Sequence, residues 1–260
     1  MDSSRIMKRR LLAFAFLSVL VLPLSAQVTD TPQTIEPGKF FLRMDAMTVG
    51  INRDTTAPLQ YTALGFASSM LSIGMTKNVD VQIGAQFFVR ETYQYLGARS
   101  SRSGWGDTSF RTKWTFWRDD QADAAAAVIP YVKIPSRTLG IGNNHVEGGF
   151  IVPWAKKLGP GSEAGAMFQW DVLRNDANNG YDSRWFASGF ARQHIVGGFG
   201  AYAETTLAVS SASSSSFAGT IGGGATFDFT KLFQADYGIS RGLGGSATDW
   251  TGVVRLRWTF

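Results

Sequence analysis

The sequence predicts an all-β protein, a transmembrane up-and-down antiparallel β-barrel of about twelve strands. Three observations carry this expectation. The last twelve residues alternate strictly between an apolar and a polar face. The chain starts like an exported protein yet has no later apolar run long enough for a spanning helix. Its connections alternate in length, short then long, in phase with a chain that crosses a membrane repeatedly.

The alternation is clearest from Asp249 to Phe260. Trp250, Gly252, Val254, Leu256, Trp258 and Phe260 share one side of an extended chain, and Asp249, Thr251, Val253, Arg255, Arg257 and Thr259 share the other. Side chains of a strand repeat every second residue, so this is one aromatic-ended apolar face and one charged face. In a helix Arg255 and Arg257 would break any apolar stripe. The stretch resembles the terminal strand of bacterial outer-membrane barrels, which ends in Phe and is read by the barrel-assembly machinery. On that resemblance Trp250, Leu256, Trp258 and Phe260 are the expected assembly signal.

At the other end, a basic start with Arg5, Lys8, Arg9 and Arg10 precedes an apolar run from Leu11 to Leu24 and then Ser25-Ala26. These are the three regions of a secretory signal peptide, expected over residues 1–26. A spanning helix needs about 20 apolar residues, and this run is shorter and carries Pro23. The leader holds most of the formal charge of +5, so the basic balance does not point to nucleic acid. With no cysteine, disulfides and an N-terminal lipid on cysteine are both excluded. The 29 glycines, eight Trp and 19 Phe, with charged residues at only 17%, suit many strands with one lipid-facing side.

Residues 27–39 (Gln27 to Lys39), rich in Thr, Pro, Glu and Gly, read as an irregular periplasmic lead-in; whether they enter the lumen is open from sequence. The barrel is expected over 40–260. Its first segment, Phe40 to Gly50, puts Arg43 and Asp45 on one face. Leu59 to Met75 is less regular. Val79 to Thr92 sets Val79, Val81, Ile83, Ala85, Phe87 and Val89 against Asp80, Gln82, Gly84, Gln86, Phe88 and Arg90. Trp105 to Trp117 sets Phe110, Trp114 and Phe116 against Asp107, Arg111 and Lys113. Ala125 to Pro135 sets Val128, Pro130, Val132 and Ile134 against Ile129, Tyr131 and Lys133. Val146 to Ala155 aligns Phe150, Val152 and Trp154. Gly165 to Arg174 opposes Phe168, Trp170 and Val172 to Met167, Gln169 and Asp171. Tyr181 to Arg192 is aromatic, with either facing open. Gly198 to Val209 places Glu204 on the polar side, Phe217 to Phe229 places Asp228 there, and Leu232 to Ser240 places Asp236 there. With the terminal strand this makes twelve, an even number as in bacterial barrels.

The connections supply an independent test. Short turns fall at Thr76–Asn78, Arg118–Asp123, Lys156–Gly161, Gln193–Gly197 and Thr230–Lys231. Longer Gly/Ser/Asn-rich ones fall at Asn52–Pro58, Tyr93–Ser103, Ser136–Asn144, Asn175–Gly180, Ser210–Ser216 and Arg241–Thr248. Membrane barrels have short periplasmic turns and longer external loops. A soluble sandwich has no reason to alternate in this phase.

In lipid every backbone polar group must pair, so strands span only as a closed ring. The expected lumen-lining charges are Arg43, Asp45, Arg90, Asp107, Arg111, Lys113, Lys133, Asp171, Glu204, Asp228, Asp236, Arg255 and Arg257. An Arg or Lys on the lipid side at mid-height would cost about 2–4 kcal/mol. Trp105, Trp117, Trp154, Trp185, Trp250 and Trp258 lie near segment ends, where an aromatic girdle belongs. His145 and His194 are the only histidines and fall at opposite ends by strand order, which disfavours a shared metal site or catalytic pair. No enzyme, metal or cofactor is expected. The glycines of Gly197–Gly200 and Ile221–Gly224 lack the Lys-Ser/Thr of a phosphate loop and read as strand positions.

Gly104-Trp105-Gly106-Asp107-Thr108-Ser109-Phe110-Arg111-Thr112-Lys113-Trp114 is similar to a strand of an outer-membrane family named for a meta-pathway of phenol degradation. Ile129-Pro130-Tyr131-Val132-Lys133-Ile134-Pro135-Ser136 resembles that family's next strand, although Arg137 replaces its usual glycine. The resemblance runs loosely from Phe40 to Phe260 and implies a barrel of about twelve strands that takes up aromatic or other small hydrophobic compounds. It carries no substrate residues. Two readings of the interior stand beside each other: a lined channel for passive uptake of small solutes, or a structural or surface-interaction barrel with a filled lumen. The expected partners are outer-membrane lipids and lipopolysaccharide, the assembly machinery and a small-molecule solute, with no nucleic acid. The expected location is the outer membrane.

Overall fold

The computed structural model describes residues 27–54, 59–136, 138, 141, 145–175, 179–211, 217–244 and 247–260. The expected signal peptide, and most of the serine run, lie outside these residues. The described chain is all-β. Its strands are β1 (Phe40–Asp54), β2 (Leu59–Gly74), β3 (Val79–Tyr95), β4 (Ala98–Gly104), β5 (Thr108–Asp119), β6 (Ala124–Ile134), β7 (Glu147–Gly159), β8 (Ser162–Arg174), β9 (Tyr181–Val196), β10 (Phe199–Ser210), β11 (Phe217–Asp228), β12 (Phe233–Gly242) and β13 (Trp250–Thr259).

Each strand pairs antiparallel with its chain neighbours, except that β5 pairs with β3 rather than β4, and the first pairs with the last through Phe41–Thr259, Arg43–Arg257, Asp45–Arg255 and Ile51–Trp250. Since β2 also pairs with β3, the sheet closes into a ring and leaves no spanning strand edge unpaired. The ring has twelve members, because β4 pairs with β3 alone. β3 pairs with β5 over Val79–Ala85 and with β4 over Val89–Tyr95. Strands β4 and β5 therefore follow one path beside β3, broken at Trp105-Gly106-Asp107. The stretch expected to be a loop, Tyr93–Ser103, is instead the tip of this β3–β4 hairpin. It turns on Leu96 and Gly97, both at positive φ (48° and 81°), as a two-residue hairpin of the mirror-image turn type requires.

The outward face is apolar. Phe66, Phe110, Trp114, Phe116, Val132, Trp154, Phe168, Trp185, Leu207, Ile221, Tyr237, Ile239, Trp250 and Trp258 are all exposed. At the terminal end, where β1 begins and β13 finishes, Phe227, Phe229, Phe233, Trp258 and Phe260 form a chain of ring contacts with centroids 4.8–6.1 Å apart. The four expected assembly-signal residues lie on the outward parity of β13 or just beyond it. Connections at this end are short, from two to four residues, and that between β6 and β7 at the opposite end spans 135–146.

Two irregularities change the phase of the alternation. In β1 the pairing slips between Asp45 and Met47, so Arg43 and Asp45 face in, and Thr48 takes the inward side above the slip. In β2, Ala67 adopts φ 54°, and it and Phe87 opposite it both drop out of the β2–β3 pairing, where Phe66 faces Phe88 and Ser68 faces Gln86. Phe88 thereby turns outward to pack on Phe66 at 5.9 Å, although the plain alternation placed it inside. Arg90 moves with it. It pairs with Leu64, is exposed, and does not line the lumen; its neighbour Glu91 is buried there instead.

Candidate functional site: the occupied lumen

The inward positions of the strands carry most of the charge. Arg111, Lys113 and Thr115 of β5, Asp80 and Gln82 of β3, Glu204 of β10, Asp236 of β12, and Arg255 and Arg257 of β13 keep the inward parity. They would repel or stay unpaired if left alone at this density. Two kinds of partner satisfy them: one another, and the N-terminal segment.

Residues 27–39 do not stay outside the ring. The segment enters at the terminal end, where Thr34 donates to the Lys77 carbonyl at 2.7 Å and Gly38 donates to the Gly74 carbonyl at 2.9 Å. It passes so close to β2 that a Cβ on Gly74 would sit 2.1 Å from the Glu36 carbonyl oxygen. Further in, Lys113 donates to the Gln33 carbonyl (3.0 Å), and the Thr115 hydroxyl donates to that of Pro32. Asp30 then meets Arg43 at 3.4 Å and forms an ion pair with Arg111. The tip crosses to the far wall. Glu204 accepts the amides of Val28 (2.9 Å) and Thr29 (2.7 Å) and the Thr29 hydroxyl (2.5 Å). The Gln27 carbonyl accepts from Arg255 at 2.8 Å. Gln27, Thr29 and Pro32 are buried.

Asp30 shows how strong this field is. Burial alone would raise its pKa, but Arg111, Arg43 and Lys113 outweigh that and hold the carboxyl far below the usual carboxylate range. Arg255, 1% exposed, donates to Asp45 across the seam between the last and first strands at 2.6 Å. Arg257 pairs with Asp236 at 2.7 Å.

Toward the other end the wall holds a second set. Lys133 pairs with Glu147 and, at 3.5 Å, with Asp107 at the break between β4 and β5. Asp171, fully buried, accepts from Arg184 at 2.7 Å, Gln169 at 2.7 Å and the Tyr131 hydroxyl. Glu91 pairs with Arg102 at 2.5 Å and accepts from Tyr61 at 3.3 Å. Of the thirteen expected lumen charges, the structure gathers Arg43, Asp45, Asp107, Arg111, Lys113, Lys133, Asp171, Glu204, Asp236, Arg255 and Arg257 inside. Asp228 keeps inward parity but is exposed at the end of β11, where it accepts from Gln234. Arg90 is outside. His145 precedes β7, whereas His194 ends β9 at the opposite mouth, where its amide donates to Gly161.

Sequence reasoning missed Asp30, Glu91, Glu147, Arg184 and an apolar inner patch. Ile129, Ile151, Met167 and Phe186 are buried together inside the ring with Ala208 and Ala218; Val28 of the segment and Tyr131 pack against them. Their register puts Ile129, Ile151, Phe186 and Ala208 one step beyond Met167, on the far side of the segment tip from the terminal mouth. Ala247 of the connection before β13 joins the patch. Beside the patch, on β11 and β12, Gly222 and Gly238 face in without side chains. With Val28, Tyr202, Glu204, Ser240 and Thr251 they leave a gap beside the segment.

Residues 25–260 match the family described as "Putative MetA-pathway of phenol degradation". The chain belongs to that family. No curated protein matches its sequence. Among solved structures, the fold resembles the COG4313 outer membrane channel from Pseudomonas putida F1, with a TM-score of 0.70 and 12% identity over 88% of this chain and 98% of that one. It is also similar to the translocator domain of the autotransporter NalP from Neisseria meningitidis (TM-score 0.61, 10% identity, 99% of each chain). The CymD monoaromatic hydrocarbon channel aligns at TM-score 0.50 and 7% identity over 86% of this chain and 88% of that one. At these identities the likeness is one of fold, that of an outer-membrane β-barrel.

Proposed function

We propose that this family member is an outer-membrane channel for the passive uptake of small aromatic or otherwise hydrophobic compounds. It reaches the membrane after cleavage of residues 1–26 and assembles through the recognition of Trp250, Leu256, Trp258 and Phe260. The observation that carries the solute class is the inner patch of Ile129, Ile151, Met167 and Phe186. A lumen that conducts ions alone has no use for buried hydrocarbon facing inward, whereas a filled lumen would bury it as core. The patch lies on the far side of the segment tip and packs against Val28 of the segment, so displacing the segment uncovers it. A ring of twelve strands is wider than the eight whose side chains fill the interior, and here the additional width is taken up by the segment. Polar contacts hold that segment, most of them to charged groups and worth about 1.5–3 kcal/mol each, so passage in this reading requires the segment to be displaced. Two proteins of similar fold, an outer membrane channel and a monoaromatic hydrocarbon channel, support this reading.

The second reading, a filled structural barrel, draws on the same segment, which bonds both walls at once. Flux separates the two. Liposomes carrying the folded barrel are expected to admit a small aromatic solute faster than a sugar of similar mass, and deletion of residues 28–36 is expected to raise the flux of both. A folded deletion variant as tight as protein-free liposomes decides for the filled barrel.

A further inference from the structure

Arg90, displaced from the lumen, joins three other arginines on the outside of the ring. Cross-strand partners share a face, so the pairings place them. Arg53 continues the outward series of Met47, Val49 and Ile51 on β1. Arg90 pairs with outward Leu64 and with Ser103; on the same parity of β4, Arg99 pairs with Gln94. Arg241 on β12 pairs with outward Trp250 and stands over its ring at 5.7 Å. All four are exposed. By register they lie at the mouth opposite the terminal end, within a few residues of one another in height. Immediately below them the surface turns to hydrocarbon: Phe66, Phe88, Met47 and Tyr237. The strands run β4-β3-β2-β1-β13-β12 side by side, so at about 4.8 Å per strand the group spans roughly 24 Å. Among the described residues no carboxylate shares this outward face at that height. Glu91 turns inward, and Asp249 accepts the Arg53 amide at 2.7 Å.

Four guanidinium groups, with no carboxylate partner among the described residues, immediately above an apolar belt match a molecule with several phosphates on its head and acyl chains below. We infer that this face binds the phosphorylated glycolipid of the outer leaflet. Arginine suits phosphate because its planar fork donates two parallel hydrogen bonds. Trp250 adds the aromatic surface of a membrane boundary. Acyl chains then lie against Phe66, Phe88 and Tyr237. The site rests on the outer-membrane placement proposed above, but not on solute passage.

The test uses the full-length folded chain in detergent, with native mass spectrometry to count bound lipid. The probes are lipid A, chemically dephosphorylated lipid A, phosphatidylethanolamine and inorganic phosphate. Lipid A is expected to bind, with weak binding of the dephosphorylated form and no competition from millimolar phosphate. The combined Arg53→Gln, Arg90→Gln, Arg99→Gln and Arg241→Gln variant is expected to lose affinity by about tenfold or more. A control replacing Lys39, Lys77, Lys157 and Lys231 at the other mouth by Gln is expected to bind like the parent. Heat-shifted gel mobility establishes that each variant is folded. Single Arg90→Gln and Arg241→Gln variants, each expected to weaken binding in part, serve should the combined variant not fold. Equal binding of the dephosphorylated lipid, unchanged binding by the arginine variants, or equal loss in the lysine control would each overturn the site. A barrel that binds lipid A yet passes no solute overturns the channel alone.

Discussion

Asp30 is the anion on which three luminal cations converge. Its carboxyl is held well below its free value, so its contribution to docking is complete above about pH 4 and is lost only as pH falls through the lower, folded value. Asp30 itself is therefore expected to add no change in flux from neutral pH down to about 4 and to raise it only in stronger acid, read as the difference between the parent and Asp30→Asn across pH. Asp30→Asn removes the anion at every pH. Leaving Arg43 and Arg111 uncompensated is expected to cost about 3 kcal/mol of stability and to raise flux at neutral pH, as read by thermal melts and liposome swelling. At the inner patch, Phe186→Ser is expected to slow an aromatic solute while leaving a sugar of similar size unchanged. How visible these residues were in the sequence differs for a physical reason. Arg111, Lys113, Arg255 and Arg257 were legible because strict alternation separates them from Trp114, Leu256 and Trp258. Arg184 and Phe186 were not, because β9 carries aromatic and apolar side chains on both faces. Asp30 could not be read at all, since its role comes from a segment doubling back through the ring.

At the scale of the strand, the phase of β2 and β3 rests on Ala67. Its φ of 54° lies in the left-handed region, costly for a residue with a Cβ. Ala67→Gly is expected to raise stability by about 1 kcal/mol without altering the register, measured by the temperature of the gel-mobility shift. The same irregularity explains the misplacement of Arg90. From Val79 to Gln86 the residues alternate cleanly, and the break on β3 itself is the adjacent exposed pair Phe87-Phe88, where Phe87 stands opposite Ala67 and both drop out of the pairing; in sequence two neighbouring phenylalanines do not say which of them faces in. The consequence is testable by a pair of changes. Glu91→Gln is expected to destabilise the barrel by about 2 kcal/mol, because the buried carboxylate loses its charge toward Arg102. Arg90→Gln is expected to alter stability by no more than about 0.5 kcal/mol, as for an exposed side chain.

Across the whole molecule, closure was the most legible property. The closed ring and the meeting of the first and last strands follow from one requirement, that no backbone group face hydrocarbon unpaired; the alternation of connection lengths holds only in part, since the far-end connections β1–β2 and β3–β4 are as short as those at the other mouth. What fills the ring was far less legible, because occupancy depends on the path of thirteen irregular residues. A single guanidinium joins the two. Arg255 of the last strand holds Asp45 of the first and also the carbonyl of Gln27. The final stitch of the cylinder and the moorings of its cork thus share one knot. A newly made molecule whose first and last strands have not yet met lacks that knot, and so it is also a molecule whose bore stands open.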